Sequence, residues 1–229
     1  MGWGILGGEA VSFRSGEATI KGHLGRPAMP GRFPAVILVH GLNGLEAGNR
    51  RAAERFGDEG YVALAIDWQS RVATPSTEEV LQYVADAAAW LRTQEYVDGD
   101  RIAVGGYCFG GRVAYLALAR WDWPWAGLIY HGTLTRERAP EETQAAIEGA
   151  ARMQAPLLML HCAGDPRAPL EHAIEMAQAL QRHGKPFALK IYGGASHAFT
   201  LPEGSGYLPA AAADAWRETI LFLDDLRRR

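Results

Sequence analysis

Short apolar runs alternate with stretches of helical periodicity along most of this chain. Ala35–Val39, Tyr61–Ile66, Ala126–Tyr130, Leu157–Cys162 and Phe187–Tyr192 are runs of that kind, and Ile102–Gly106 passes from apolar residues into glycines. Continuous apolar character suits strands buried on both faces of a sheet. Between the runs, apolar residues recur at helical spacing. Asn49–Phe56 predicts a short helix closed by Asp58-Glu59-Gly60. Ser76-Thr77-Glu78-Glu79 opens a helix that carries Val80, Val84, Ala87, Ala88 and Leu91 on one side. Phe109–Arg120 predicts another. Leu170–His183 has Leu170, Ile174, Ala177 and Leu180 on one face and stops at Gly184 before Pro186. Ala211–Arg228 places Trp216, Ile220, Leu223 and Leu226 on one stripe. Near the start, Val11–Phe13 and Ala18–Leu24 flank Arg14–Glu17 as an opening hairpin. Repeated strand–helix alternation predicts an α/β fold: a mostly parallel central sheet with helices on both faces. It is expected as a single domain over residues 1–229 with no separate cap. The least regular stretches, 69–75 and 133–155, each follow a strand and are expected to line a site, because ligands bind at the carboxyl ends of strands in such sheets.

Composition narrows the function classes. A chain of 229 residues, 48% apolar and 21% charged, fits one large α/β domain. A net charge of −3 with no basic stripe argues against a nucleic-acid partner; Arg227-Arg228-Arg229 reads as a solvated helix end. No apolar run has the length of a membrane span, and the first residues lack the basic and apolar regions of a secretory signal. Two cysteines, Cys108 and Cys162, make no disulfide framework, so a cytoplasmic setting is expected. The histidines show no zinc spacing, and Gly2-x-Gly4-x-x-Gly7 follows no strand, which discards it as a dinucleotide fingerprint. No metal or cofactor is expected. The partner is a small molecule, the protein itself a monomer or small homo-oligomer. Trp121, Trp123 and Trp125 are expected to pack at the amino edge of the sheet.

The chemistry concentrates at Val104-Gly105-Gly106-Tyr107-Cys108-Phe109-Gly110-Gly111. This is a Gly-x-nucleophile-x-Gly elbow with cysteine where serine is usual. Such an elbow turns a strand abruptly into a helix and holds the nucleophile on a strained backbone, beside the free N–H groups of the helix start. A thiol there is expected to be activated. A nucleophile needs a base, and the base needs an acid to orient it. Asp165, in Gly164-Asp165-Pro166, follows the strand Leu157–Cys162; His197, in Ser196-His197-Ala198-Phe199, follows Phe187–Tyr192. The order Cys108, Asp165, His197 is nucleophile, acid, base on one edge of the sheet. Two backbone N–H groups are needed for the oxyanion; Phe109, next to the nucleophile, and Leu42, in His40-Gly41-Leu42-Asn43-Gly44, are expected to supply them. His40 is read as a structural residue that hydrogen-bonds its loop.

These residues resemble the dienelactone hydrolase family of α/β-hydrolases. Gly105-Gly106-Tyr107-Cys108-Phe109-Gly110-Gly111-Arg112 is similar to that family's elbow, Ser196-His197-Ala198-Phe199 to its histidine motif and Gly164-Asp165 to its acid motif, over nearly the whole chain. The resemblance implies an α/β-hydrolase fold and hydrolysis of an ester or lactone through a thioester acyl-enzyme. Three positions depart from the pattern. The family's thiol-activating glutamate falls on Gly41, and Glu46 is in the wrong loop position. The carboxylate-binding arginine four residues past the histidine falls on Leu201. Arg71 is the candidate for the second such arginine. The departures predict weaker selection for an acidic lactone, with Gly41, Trp68, Arg71, Phe199 and Leu201 around the substrate and an apolar acyl pocket formed by Trp68, Phe109, Phe199 and Leu201. A carboxylesterase of short-chain or aromatic esters is therefore expected. The alternatives are a true dienelactone hydrolase, a non-catalytic ligand-binding homologue, and an acyl transferase built on the same site.

Overall fold

The computed structural model describes residues 8–134 and 139–229. Among these, eight strands form one sheet: β1 (Glu9–Ser15), β2 (Ala18–Gly25), β3 (Phe33–Val39), β4 (Val62–Asp67), β5 (Val97–Tyr107), β6 (Gly127–Tyr130), β7 (Leu157–Cys162) and β8 (Phe187–Tyr192). The helices are α1 (Ala47–Asp58), α2 (Thr77–Arg92), α3 (Phe109–Arg120), α4 (Pro140–Gly149), α5 (Leu170–Arg182) and α6 (Pro209–Arg228). Strand order is β1-β2-β4-β3-β5-β6-β7-β8. The hairpin β1–β2 is antiparallel to itself and to β4; from β4 to β8 every pairing is parallel.

Every residue of β3 is buried, because both faces of the sheet are covered. Ile37 and Val39 point into a core packed by α2, α3, α4 and α5, and Val36 and Leu38 into a second core packed by α1 and α6. That two-sided burial is the physical source of the unbroken apolar runs. After β3 the chain crosses to β4 on one side; after α2 it returns to β5 on the other. The carboxyl ends of β3 and β5 therefore flank the switch point, where a ligand crevice opens in sheets of this kind.

The boundaries show two differences from the sequence reading. Strand β5 starts at Val97, well before the apolar run at Ile102, since Val97 pairs with Phe33 and its carbonyl accepts from the Arg32 side chain, ahead of a register shift that resumes the pairing at Ala35 and Ile102. The stretch 133–155, read as irregular, contains α4. Its signal was present: Pro140 at the first helical turn with Glu141 and Glu142 beside it. Only Thr143, Ala146, Ile147 and Gly149 are buried there, too weak a stripe to show as periodicity. Among the described residues no helix is long and apolar enough to cross a membrane.

Candidate active site

Strand β5 ends in the elbow. Cys108 is the N-cap of α3, at φ 56 and ψ −117, a left-handed backbone that L-residues rarely adopt. Its carbonyl accepts hydrogen bonds from the N–H groups of Gly111 (3.0 Å) and Thr133 (3.1 Å), and its own N–H donates to Tyr130 O (3.1 Å). These bonds hold the strained residue in place. The glycines allow the turn to be this tight. A Cβ on Gly106 would lie 2.2 Å from Gly110 O, and one on Gly110 2.0 Å from Val39 O. Both obstacles are backbone and cannot rotate away. Gly110→Ala is accordingly expected to push α3 off β3 and cost about 3 kcal/mol, the upper end for overpacking; the denaturation midpoint measures it, and an unchanged midpoint would contradict this account of the elbow.

Asp165 and His197 meet the elbow from the loops after β7 and β8. His197 Nδ1 donates to Asp165 Oδ2 at 2.6 Å. The remaining oxygen of Asp165 accepts from the backbone N–H of Arg167 (2.8 Å) and of Ala168 (3.1 Å), and Cys162 Sγ donates to Oδ2 (3.3 Å). Burial works against the Asp165 carboxylate, but the hydrogen bond and charge of His197, with the Arg167 N–H, hold its pKa down at about 2. Burial likewise works against a charged His197; hydrogen bonds to Asp165 and to Cys108, and the charges of both, outweigh it and raise the pKa to about 9. The imidazole thus bridges a buried carboxylate and the elbow sulfur.

The loop after β3 closes the other side. A Cβ on Gly41 would lie 3.2 Å from Cys108 Cβ and 3.8 Å from Cys108 Sγ, so any side chain at this position would project onto the thiol. His40 is buried; its Nδ1 donates to Gly41 O (2.6 Å) and its ring stacks on Trp68 at 4.8 Å between centroids. Leu42 and Phe109 both line the cavity beside Cys108. Phe109 opens α3, where a backbone N–H has no helical partner.

This cavity, of about 610 Å³, is lined by both apolar and polar side chains. Gly41 and Leu201 face it. Trp68, Phe199 and Arg71 do not. Trp68 is buried, its indole N–H donating to His40 O (3.0 Å) and its ring against Phe109. Phe199 is fully buried in the core beside Tyr192. Arg71 is exposed on the loop before α2. Beside Tyr107, Phe109 and Leu201 the cavity has Asn43, Glu46, Asn49, Arg112, His131, Thr133, Arg167 and Glu203. Arg112 forms an ion pair with Glu142 (2.7 Å), and Glu203 with Arg51. Sequence reasoning missed Arg112, His131 and Thr133. His131 and Thr133 come directly after β6, and the strand-end rule that picked out Asp165 and His197 applies to them equally. Among the described residues no group of three or more His, Cys, Asp or Glu side chains is placed to hold a metal.

The model of the dienelactone hydrolase family matches residues 20–79 and 65–226. A Bradyrhizobium protein named "Probable 2-oxo-3-(5-oxofuran-2-ylidene)propanoate lactonase" is 30% identical over 225 residues, covering 91% of this chain and 90% of its own. Two solved structures share the fold. One, from Klebsiella pneumoniae and named "Putative Dienelactone Hydrolase", superposes with a TM-score of 0.88 at 24% identity, over 96% of this chain and 99% of the other. The second is a dienelactone hydrolase-like promiscuous phosphotriesterase from metagenomic libraries, with a TM-score of 0.82 at 24% identity over 97% and 99% of the two chains. By sequence and by fold, the chain belongs to the dienelactone hydrolase family of α/β-hydrolases and is a hydrolase of esters or lactones.

Proposed function

We propose that the protein hydrolyses short-chain carboxylic esters or lactones through a thioester on Cys108, with His197 as base and Asp165 orienting it. One observation carries the reading. A cysteine on left-handed backbone at a helix N-terminus shares His197 with a buried aspartate. In the first half-reaction Cys108 Sγ, its proton held by His197, attacks the carbonyl carbon. The oxyanion rests on the N–H groups of Leu42 and Phe109. The alkoxide leaves with the proton from His197, and the acyl group stays on sulfur. Acylation removes the Cys108 charge and its hydrogen bond, two of the causes that raise the His197 pKa. The imidazole then titrates lower and is ready to take a proton from water.

The cavity argues for the substrate class. Arg71 stays outside it, Leu201 holds the place of one family arginine, and Arg112 is paired with Glu142. That supports a neutral ester or lactone. With Trp68 and Phe199 turned into the core, only Phe109 and Leu201 of the apolar acyl pocket expected from sequence line the cavity, among polar side chains, which favours a short acyl group. A second reading, an acidic lactone, is favoured by Arg112 and Arg167 on the cavity wall and by the lactonase name of the Bradyrhizobium relative.

Turnover of p-nitrophenyl acetate and butyrate beside a dienelactone, with and without iodoacetamide, tests both. Ester turnover abolished by iodoacetamide, with little dienelactone activity, is the expected result. Strong dienelactone turnover would transfer the assignment to the acidic lactone and make Arg112 or Arg167 the clamp. Turnover insensitive to iodoacetamide would sink the thioester, and no turnover of any substrate would favour a ligand-binding homologue.

A further inference from the structure

The second cysteine has no part in the chemistry described so far. Cys162 ends β7, pairs with Tyr192 of β8 and is fully buried. A buried cysteine is ordinarily a small apolar residue. Here the sulfur has a direction. Cys162 Sγ lies 3.3 Å from Asp165 Oδ2, the same oxygen that accepts from His197 Nδ1 at 2.6 Å. Oδ1 is occupied separately, by the N–H groups of Arg167 and Ala168. A buried carboxylate needs donors on its lone pairs, and an apolar side chain at 162 would leave Oδ2 with His197 alone.

Burial first, then the charge of Asp165 and the hydrogen bond to it, push the Cys162 thiol up. The sulfur keeps its proton, so between these two side chains it is the donor. Burial works against the Asp165 carboxylate; the bond and charge of His197, the Arg167 N–H and then the Cys162 S–H hold its pKa down. His131 and His161 also feel this carboxylate, but burial holds both below their ordinary 6.5, and at neutral pH neither adds a cation beside it.

The His197 bond changes during turnover and the others do not. As an imidazolium, His197 gives Oδ2 a bond between two charged groups, stronger than one from a neutral donor. Once its proton has passed to the leaving alkoxide the imidazole is neutral and that bond weakens. Cys162 keeps its place, because its strand is paired through the backbone. The loop beyond it is fixed too, His161 Nε2 donating to Ala168 O at 2.8 Å.

We propose that Cys162 is a positioning residue: its S–H fixes Asp165 Oδ2 against His197 Nδ1 through the steps in which the imidazole gives up and regains its proton. This rests on the triad reading above.

Two variants test it. Cys162→Ala removes the donor, and Cys162→Ser keeps one at the same position. In Cys162→Ala the kcat for p-nitrophenyl butyrate is expected to fall about fivefold to tenfold, the weight of one buried hydrogen bond to a charged group. Its acid limb is expected at higher pH than in the wild type, since one of the bonds that keep Asp165 ionised is gone. Cys162→Ser is expected to recover most of the turnover and the wild-type acid limb. A role in packing alone would lower the denaturation midpoint of the alanine variant and leave the pH profile in place. An unmoved acid limb, full turnover in Cys162→Ala, or a loss that serine does not repair would each overturn the proposal. If the alanine variant does not fold, Cys162→Val, which fills the space without a donor, is judged by the same criteria. Failure of the underlying reading looks different: turnover that survives in both Cys108→Ala and Asp165→Asn.

Discussion

Cys108→Ala abolishes ester turnover, by on the order of 10⁴-fold or more, while leaving the denaturation midpoint close to that of the wild type. The size of the loss follows from the role proposed for the sulfur: without it no acyl-enzyme forms, and only binding and oxyanion contacts remain. The stability follows from geometry. Alanine has the same Cβ as cysteine at φ 56, and the bonds that hold the elbow run through the backbone of residue 108 to Tyr130, Gly111 and Thr133. The variant therefore keeps every contact except those of Sγ. It also loses the hydrogen bond and charge that help raise the His197 pKa, so the imidazole should titrate lower, visible by NMR. Turnover near the wild-type level would refute the nucleophile assignment, and a collapsed midpoint would refute this description of the elbow.

Asp165→Asn lowers kcat by roughly 10³- to 10⁴-fold, the range for the acid of such a triad. The carboxylate accepts from His197 Nδ1 at 2.6 Å and presents the other ring nitrogen to the thiol. An amide can turn its NH₂ toward Nδ1 instead, which favours the tautomer that cannot accept the cysteine proton. The pH dependence gives a second readout. His197 titrates at about 9 in the folded protein, above its ordinary 6.5. Its stabilisation is thus complete below 6.5 and lost as pH rises through 9. Asp165 is held at about 2, below its ordinary 3.8, so its stabilisation is complete above 3.8 and lost as pH falls through 2. The pair is intact between 3.8 and 6.5. In Asp165→Asn the acid limb of that stability profile disappears and the alkaline limb moves to lower pH. Measured midpoints with unchanged pH dependence would argue against the buried pair, and a kcat loss of only a few-fold would remove Asp165 from the mechanism.

Much of the architecture was legible because the sheet is buried on both faces. Desolvation of β3, β4 and β7 demands unbroken apolar runs, and composition cannot hide such runs. The elbow was legible for a related reason: a strand turning into a helix around Cys108 admits no Cβ at Gly106 or Gly110, which writes the turn into the sequence as glycines. Helix α4 was not legible as periodicity, since it buries few residues, and only its Pro140-Glu141-Glu142 start marked it. The loops misled most. Trp68 and Phe199 were expected against substrate, yet each makes better contacts inward, Trp68 through its indole bond to His40 O and Phe199 through the ring of Tyr192. Arg71, in a loop that no sheet register constrains, points to solvent instead.

By itself the sequence determined the layered α/β order, the strand-end positions of Cys108, Asp165 and His197, and the family, because each is encoded locally by burial periodicity or by a backbone that only glycine permits. Tertiary structure alone decided which side chains face the cavity and how they are charged. The ion pair of Arg112 with Glu142, the closeness of Gly41 to the thiol and the edge-on contact of His131 with His197 join residues far apart in the chain. Such contacts depend on the direction in which each loop leaves the sheet, and that direction is set by packing against other loops, which no single stretch of sequence contains.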